Sequence, residues 1–159
     1  MVTEVSLIEI AKTTRQAAQK SAVLSTEAKN QAIEAVAQVL EKATPKIIAA
    51  NQLDCRIAET DGIAKPLYNR LKMDEAKLKN AIAGLRNVAT LRDPIGVVQI
   101  HRELDTGLIL KRITCSLGVI GVVFEARPDA VIQISALAIN QEMASFLKGV
   151  KKQLIHVLS

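Results

Sequence analysis

One stretch constrains the fold more than any other: an apolar run that ends in a short charged loop, followed at once by a second apolar segment. Residues 118–125 read Gly-Val-Ile-Gly-Val-Val-Phe-Glu, which is typical of a buried parallel strand. A loop over residues 126–129, Ala-Arg-Pro-Asp, leads into residues 130–139, whose apolar side chains on most sides indicate a covered helix. Strand, short loop and helix in this order predict the first half of a nucleotide-binding βαβ unit.

The first ninety residues have the spacing of successive helices. Ser25 is placed to cap a helix of regularly spaced aliphatic residues. Pro45 is expected to open a third helix, because proline is favoured at the first helical position, and Gly62 is expected to follow its end. The pair at 65–66, Lys-Pro, predicts a turn, and Asp74 predicts the start of a further amphipathic helix.

The character of the sequence changes at residues 93–94, Asp-Pro, where β-branched residues begin to alternate with polar ones. Residues 105–107, Asp-Thr-Gly, predict a three-residue hairpin loop, with the return strand over residues 108–115. An isolated two-stranded ribbon is marginally stable in water, so we expect it to pack on something, with another subunit as the candidate.

Composition excludes several classes of function. Aromatic residues are 2% of the 159 residues and hydrophobic ones 49%, so the core is aliphatic and stacking platforms for single-stranded nucleic acid are missing. The net charge of +5 comes from basic residues scattered among acidic ones, which favours a solvated mixed surface. The alternative is a basic helical module that contacts nucleic acid through Lys42, Lys46, Arg70, Lys72, Lys77 and Lys79. With no apolar run of ~18 residues and no signal peptide, we expect a cytoplasmic protein without a membrane span.

Four segments carry a resemblance to a known family: residues 67–72 (LYNRLK), 93–96 (DPIG), 101–105 (HRELD) and, most specifically, 110–130 (LKRITCSLGVIGVVFEARPDA). They resemble the gamma-glutamyl phosphate reductases of the aldehyde-dehydrogenase superfamily, which typically have proline where this chain has Ser116. The resemblance extends without a gap from the start of the chain to residue 139. It implies an α/β fold: a helical N-terminal region, a β-hairpin and the first strand and helix of an incomplete Rossmann-like cofactor domain.

The resemblance also implies a function, the NADPH-dependent reduction of L-glutamate 5-phosphate to L-glutamate 5-semialdehyde in proline biosynthesis. Superfamily members contact cofactor and reacting carbonyl with the loop after this strand, so Glu125, Ala126 and Arg127 are the cofactor- or substrate-site candidates. Arg127 carries a guanidinium fork that suits a phosphate group. The alternative is that Arg127 pairs with Asp129 or Glu125 and only fixes the loop.

No catalytic residue is assigned within the chain, because the family's catalytic cysteine lies in a segment that these residues do not match. Cys55 and Cys115 are expected to be small buried hydrophobes in a helix and a strand. His101 is expected on the surface of the hairpin or at an interface, and no metal site is predicted.

These patterns divide the chain into residues 1–92 (helical region), 93–116 (hairpin, a candidate oligomerisation element), 117–139 (start of the NADPH-binding domain) and 140–159 (an anomalous tail). The tail lacks the glycines that the family has at its turn, so Glu142 or the next residue would strain a backbone that needs positive φ. Synonymous codons can be chosen for the tail so that a shifted frame reads Ser-Gly-Asn-Gly-Val-Ile-Phe-Lys-Gly-Gly, which resembles the family. We therefore hypothesise a single-base slip near codon 140, which the nucleotide sequence would test.

A frame slip has physical consequences. The cofactor domain would stop after one strand and one helix, with an open edge and exposed apolar faces. We expect the 159-residue chain to be truncated, poorly soluble and inactive as a reductase. The alternative is a non-catalytic fragment that joins a full-length reductase through the hairpin over residues 99–113.

Overall fold

A computed structural model of the chain describes residues 7–149. Five helices and four strands are found in this part of the chain. In chain order they are α1 (Leu7–Ser21), α2 (Thr26–Thr60), α3 (Lys65–Leu71), α4 (Glu75–Thr90), β1 (Val98–Asp105), β2 (Leu108–Ile113), β3 (Val119–Phe124), α5 (Pro128–Asn140) and β4 (Ala144–Gly149). The α/β class is confirmed, with helices first and two small sheets after them.

The helical region begins and ends where the caps predict, with two exceptions. Ser25 caps α2 by accepting a hydrogen bond from the backbone N–H of Ala28, and Asp74 caps α4 in the same way. The expectation that Pro45 opens a helix is wrong, because α2 continues through it for 35 residues. The pair at 65–66 forms the first turn of α3 rather than a turn between helices.

Tertiary packing explains the continuity of α2 at Pro45. A proline inside a helix costs roughly 3 kcal/mol, since it removes one hydrogen bond and crowds the preceding turn. Both halves of α2 are held in place: Ile33 and Ala37 lie in one buried cluster, and Cys55 and Ala58 lie in another. Burial of those side chains offsets the cost of the proline. The spacing of residues within α2 does not reveal this burial, because the partners lie in other helices.

The larger cluster is the core that joins the helical region to α5. It packs α2 and α4 against α5, through Leu78, Leu85 and Ala136 among others. The second cluster lies at the other end of α2 and includes Leu71 of α3. Because α5 is fixed against α4 by the main core, the loop that precedes α5 has a defined position over the helices.

The hairpin extends away from these cores. β1 and β2 pair antiparallel around the loop at 105–107, where Gly107 adopts φ 77° as the sequence predicts. Register shifts after Val98 and Glu103 interrupt the alternation expected for β1. Apart from Ile100, every residue of the two strands is exposed. Within residues 7–149, then, no other element covers the two-stranded ribbon of β1 and β2, although we expect such a ribbon to pack on a surface.

The final described elements correct the expectation that the domain stops after one strand and one helix. β4 lies parallel to β3, with Val119 opposite Ala144 and Phe124 opposite Gly149. Residues 144–149 of the anomalous tail thus form a strand by pairing with β3. Glu142, in the turn before β4, has φ 54°, which confirms the strain expected there. The rest of the tail, residues 150–159, lies outside the described residues.

A buried ion cluster connects three distant parts of the chain. Lys29 of α2 has 1% of its side chain exposed and donates to Asp93 (2.5 Å) and to Glu142 (3.1 Å). Asp93 also accepts from the Thr26 hydroxyl at 2.8 Å and from the backbone N–H of Ile95 at 3.0 Å. Burial lowers the pKa of Lys29, but its two carboxylate partners outweigh that effect and leave the pKa raised. The cluster thus ties the start of the hairpin and the turn before β4 to α2.

Candidate functional site

The loop between β3 and α5 lies at the carboxyl end of β3, where ligands bind in open α/β sheets. Ala126 in this loop has φ 48°, a left-handed backbone conformation that residues other than glycine rarely adopt. Its methyl group packs against the cluster of Cys55, Ala58 and Leu71, which holds the strained residue in place. Backbone strain of this kind often marks functional loops. Here the left-handed conformation of Ala126 sets the direction of the chain at Arg127.

Arg127 follows Ala126 and stands at the N-cap of α5, with proline next in the first turn. Its side chain is 55% exposed, and one guanidinium nitrogen lies 3.6 Å from a carboxylate oxygen of Asp129. The pairing of Arg127 with Asp129, which was the alternative to a ligand-binding role, is therefore present. Its N···O distance is long for a hydrogen bond, and the pair is exposed to solvent. The other guanidinium N–H groups remain available to a ligand.

Arg127 lines a cleft of about 610 Å³ between the helical region and α5. The cleft walls come from α3, the linker after it, α4 and α5, and their charged residues are Arg70, Lys72, Lys77, Arg127 and Asp129. Lys77 is held in place because its ammonium group donates to the backbone carbonyls of Asn69 (3.0 Å) and Lys72 (2.7 Å). The cleft has the size of a small-molecule site and an excess of positive charge.

Glu125, Ala126 and Arg127, the candidates predicted from the sequence, share one loop but do not face one surface. Arg127 lines the cleft, whereas Glu125 is exposed and Ala126 packs inward, so neither is among the cleft residues. Sequence reasoning did not connect Arg70, Lys72 and Lys77 with Arg127. The signal was available in part, since residues 67–72 carried the family resemblance and all three cations were named for a nucleic-acid alternative.

Neither cysteine is placed as a nucleophile. Cys55 is buried, and burial together with Asp54 and Glu59 raises the pKa of its thiol. Cys115 is exposed, which makes the expectation of burial wrong; it lies between β2 and β3, outside any helix or strand. Neither residue lines the cleft of Arg127.

Within residues 7–149 no group of three or more His, Cys, Asp and Glu side chains is arranged to hold a metal ion. No helix in that range is long and apolar enough to cross a membrane. His101 is exposed on β1, at the surface as expected.

Fold and site together define a class of protein: an α/β chain with a helical amino-terminal region, two small sheets and a basic cleft beside the loop after β3. Comparison with curated proteins gives the same family name repeatedly. The chain is 90% identical over 152 residues to a gamma-glutamyl phosphate reductase of Trichodesmium erythraeum, a match that covers 96% of this chain and 35% of that protein. A gamma-glutamyl phosphate reductase of Cyanothece sp. is 63% identical over 147 residues, 92% of this chain and 34% of that protein.

Solved structures agree with the curated relatives. The gamma-glutamyl phosphate reductase of Saccharomyces cerevisiae superposes with a TM-score of 0.89 at 34% identity, covering 95% of this chain and 38% of that one. The enzyme of Thermotoga maritima gives 0.85 at 29% identity, covering 91% and 35%. No family model matches the sequence. The chain is homologous to the amino-terminal part of gamma-glutamyl phosphate reductases, and it spans about a third of the length of the relatives it matches.

The match to the Trichodesmium reductase extends into residues 140–159, the anomalous tail. Of the 159 residues of the chain, 152 lie within it, which leaves 7 outside. At least 13 of the 20 residues in the range 140–159 are therefore inside the matched segment. The frame-slip hypothesis stays a prediction for the nucleotide sequence to test.

Proposed function

We propose that this chain supplies the amino-terminal part of an NADPH-dependent reductase of L-glutamate 5-phosphate in proline biosynthesis, acting in the cytoplasm. The reaction converts the acyl phosphate, NADPH and a proton to L-glutamate 5-semialdehyde, NADP⁺ and inorganic phosphate. The observation that carries the proposal is the basic cleft beside the loop after β3, because it combines a ligand-sized space with cations suited to a phosphorylated substrate.

The residues of the loop have separate roles in this proposal. Ala126, fixed in a left-handed conformation, aims the following residue toward the cleft. Arg127 binds an anionic group of substrate or cofactor with the N–H groups that Asp129 does not occupy. Glu125 is exposed at the carboxyl end of β3, where a nucleotide can approach the sheet.

NADPH would supply the hydride when bound. The residues present fit such a cofactor: β3 and β4 are parallel and the loop leaves the carboxyl end of β3, the edge at which nucleotides bind. The chain's own contribution is to position the substrate and to balance its negative charge near that edge.

We propose further that the chain has no reductase activity by itself, although its homologues are reductases. Attack on an acyl phosphate requires a thiolate at the site. Cys55 is buried with a raised pKa, and neither cysteine lines the cleft. The thiolate would come from a segment that this chain does not contain, as the family resemblance implies.

A chimera tests the function. Residues 1–139 of this chain replace the matching segment of the Trichodesmium reductase, and NADP⁺ reduction is followed in the reverse direction with glutamate semialdehyde and phosphate. We expect activity in the chimera, a loss of roughly 10²-fold or more in kcat/KM on Arg127→Met, and near-normal activity for the control Arg56→Met, whose arginine is exposed on α2. An inactive but folded chimera would refute the proposal.

Association through the hairpin is a second proposal, favoured by its exposed apolar side chains. Leu104, Leu108, Ile109 and Ile113 are each more than half exposed, which is typical of a covered surface in an assembly. The hairpin would pair a second copy of the chain or a full-length reductase. Ile109→Lys is expected to lower the oligomeric mass measured by light scattering, and an unchanged mass would contradict the proposal.

A further inference from the structure

The cleft beside Arg127 contains more positive charge than that arginine supplies. Arg70 of α3, Lys72 after it and Lys77 of α4 line the same space, and Asp129 is the acidic residue among its lining residues. All four cations are exposed to solvent, and with a single carboxylate among them they give the cleft a positive potential that attracts anions. The charge pattern therefore points to a negatively charged ligand.

The cations differ in how they are held. Lys77 is anchored by two backbone carbonyls, and Arg127 lies beside Asp129. By contrast, within residues 7–149 the side chains of Arg70 and Lys72 make no ion pair and no side-chain hydrogen bond. Lys77 is the anchored cation, Arg127 is weakly paired, and Arg70 and Lys72 keep their N–H groups available, so a ligand can complete the site.

The backbone of α5 also favours an anion in the cleft. Arg127 and Asp129 place the cleft at the N-terminus of α5, a helix of 13 residues whose positive dipole end faces that space. Lys77 meanwhile covers carbonyls at the C-terminal end of α3, which removes a source of negative potential from the cleft wall. An anion is favoured here by side chains and by the helix together.

We propose that this cleft is an oxyanion subsite and that Arg70 binds the anion together with Arg127. The choice of ligand rests on the proposed function: the anion is carried by the substrate, as either the phosphoryl group of the acyl phosphate or the carboxylate at its amino-acid end. Both present planar or tetrahedral oxygens that an arginine fork matches. The volume of about 610 Å³ accommodates a molecule of glutamyl phosphate size.

Binding to the full 159-residue chain tests the subsite without requiring catalysis. Inorganic phosphate and L-glutamate are titrated separately by calorimetry into wild type, Arg70→Gln, Arg70→Lys and the control Arg102→Gln, whose arginine is exposed on β1. We expect saturable binding of at least one anion, a loss of about tenfold or more for Arg70→Gln, and an intermediate loss for Arg70→Lys. Arg102→Gln should bind as wild type does, and far-UV circular dichroism checks that each variant is folded.

The two titrations identify the source of the anion. Dependence on Arg70 in the phosphate arm assigns the phosphoryl group, and dependence in the glutamate arm assigns the carboxylate. Absence of saturable binding by wild type, or equal binding by Arg70→Gln and Arg102→Gln, would overturn the subsite. An inactive chimera would refute the reductase function and leave Arg70-dependent binding intact, whereas an active chimera with no anion binding by the chain would refute the subsite alone.

Discussion

Replacement of Lys29 by methionine tests the ion cluster that joins α2 to the later part of the chain. The lysine side chain is 1% exposed and pairs with Asp93 and Glu142, whose side chains are 24% and 13% exposed. Removal of one partner from a buried pair costs roughly 3–5 kcal/mol, because the remaining charge is left uncompensated. The two carboxylates keep some contact with water, so we expect a loss of about 3 kcal/mol, at the lower end of that range.

The same substitution should change how stability depends on pH. Lys29 holds the pKa of Asp93 below its usual value, so this contribution is present above the unfolded pKa and is lost as pH falls through the folded pKa. The pKa of Lys29 is raised, so its contribution is present below its unfolded pKa and is lost as pH rises through the folded one. Wild type should therefore hold this stabilisation from about pH 4 to about pH 10, and Lys29→Met should lack it throughout.

Urea unfolding followed by far-UV circular dichroism measures the effect. For a slope of about 2 kcal/mol/M, the midpoint should fall by roughly 1.5 M in Lys29→Met. The matched control is Lys42→Met, in the same helix at an exposed position, which should shift stability by less than about 0.5 kcal/mol. Equal midpoints for the two variants at neutral pH would refute the role given to the cluster.

Three further predictions concern other parts of the described chain. In the Lys29→Met background, Glu142→Gly should raise the urea midpoint by the equivalent of about 1 kcal/mol, because glycine relieves the positive φ with no ion pair left to lose; a fall would contradict the strain. Leu78→Ala should lower the free energy of unfolding by roughly 2–5 kcal/mol, since Leu78 is fully buried in the main cluster, and a change below about 0.5 kcal/mol would show that cluster to be misassigned. Cys115 should react with a chromogenic disulfide in the folded chain while Cys55 reacts only after denaturant is added, and equal rates would count against the burial of Cys55.

Much of the fold could be predicted from local patterns, because those patterns report forces that act over a few residues. Ser25 and Asp74 have side chains that accept from nearby backbone N–H groups, so helix starts follow from the sequence alone. Gly107 permits positive φ, so the hairpin loop could be placed. The candidate loop was also found, since an apolar strand followed by a short charged turn is visible without tertiary information.

The basic cleft could not be found in this way, because Arg70 and Lys77 lie 57 and 50 positions before Arg127 in the sequence. Arg70 and Lys77 meet Arg127 only after α5 packs against α4, and packing depends on cores that periodicity does not pair. Cys115 was misjudged for the same reason, since an apolar neighbourhood in sequence did not give it neighbours in space.

The sequence by itself determined that helices precede a hairpin and an apolar strand, the loop that carries Arg127 and, through its motifs, the resemblance to the reductases. Tertiary structure alone decided that α2 runs through Pro45, that residues 144–149 pair with β3, and that Arg70 and Arg127 line one cleft. The physical reason is the range of the forces. Caps and turns depend on hydrogen bonds between neighbours along the chain, whereas burial and charge compensation depend on which distant segments meet.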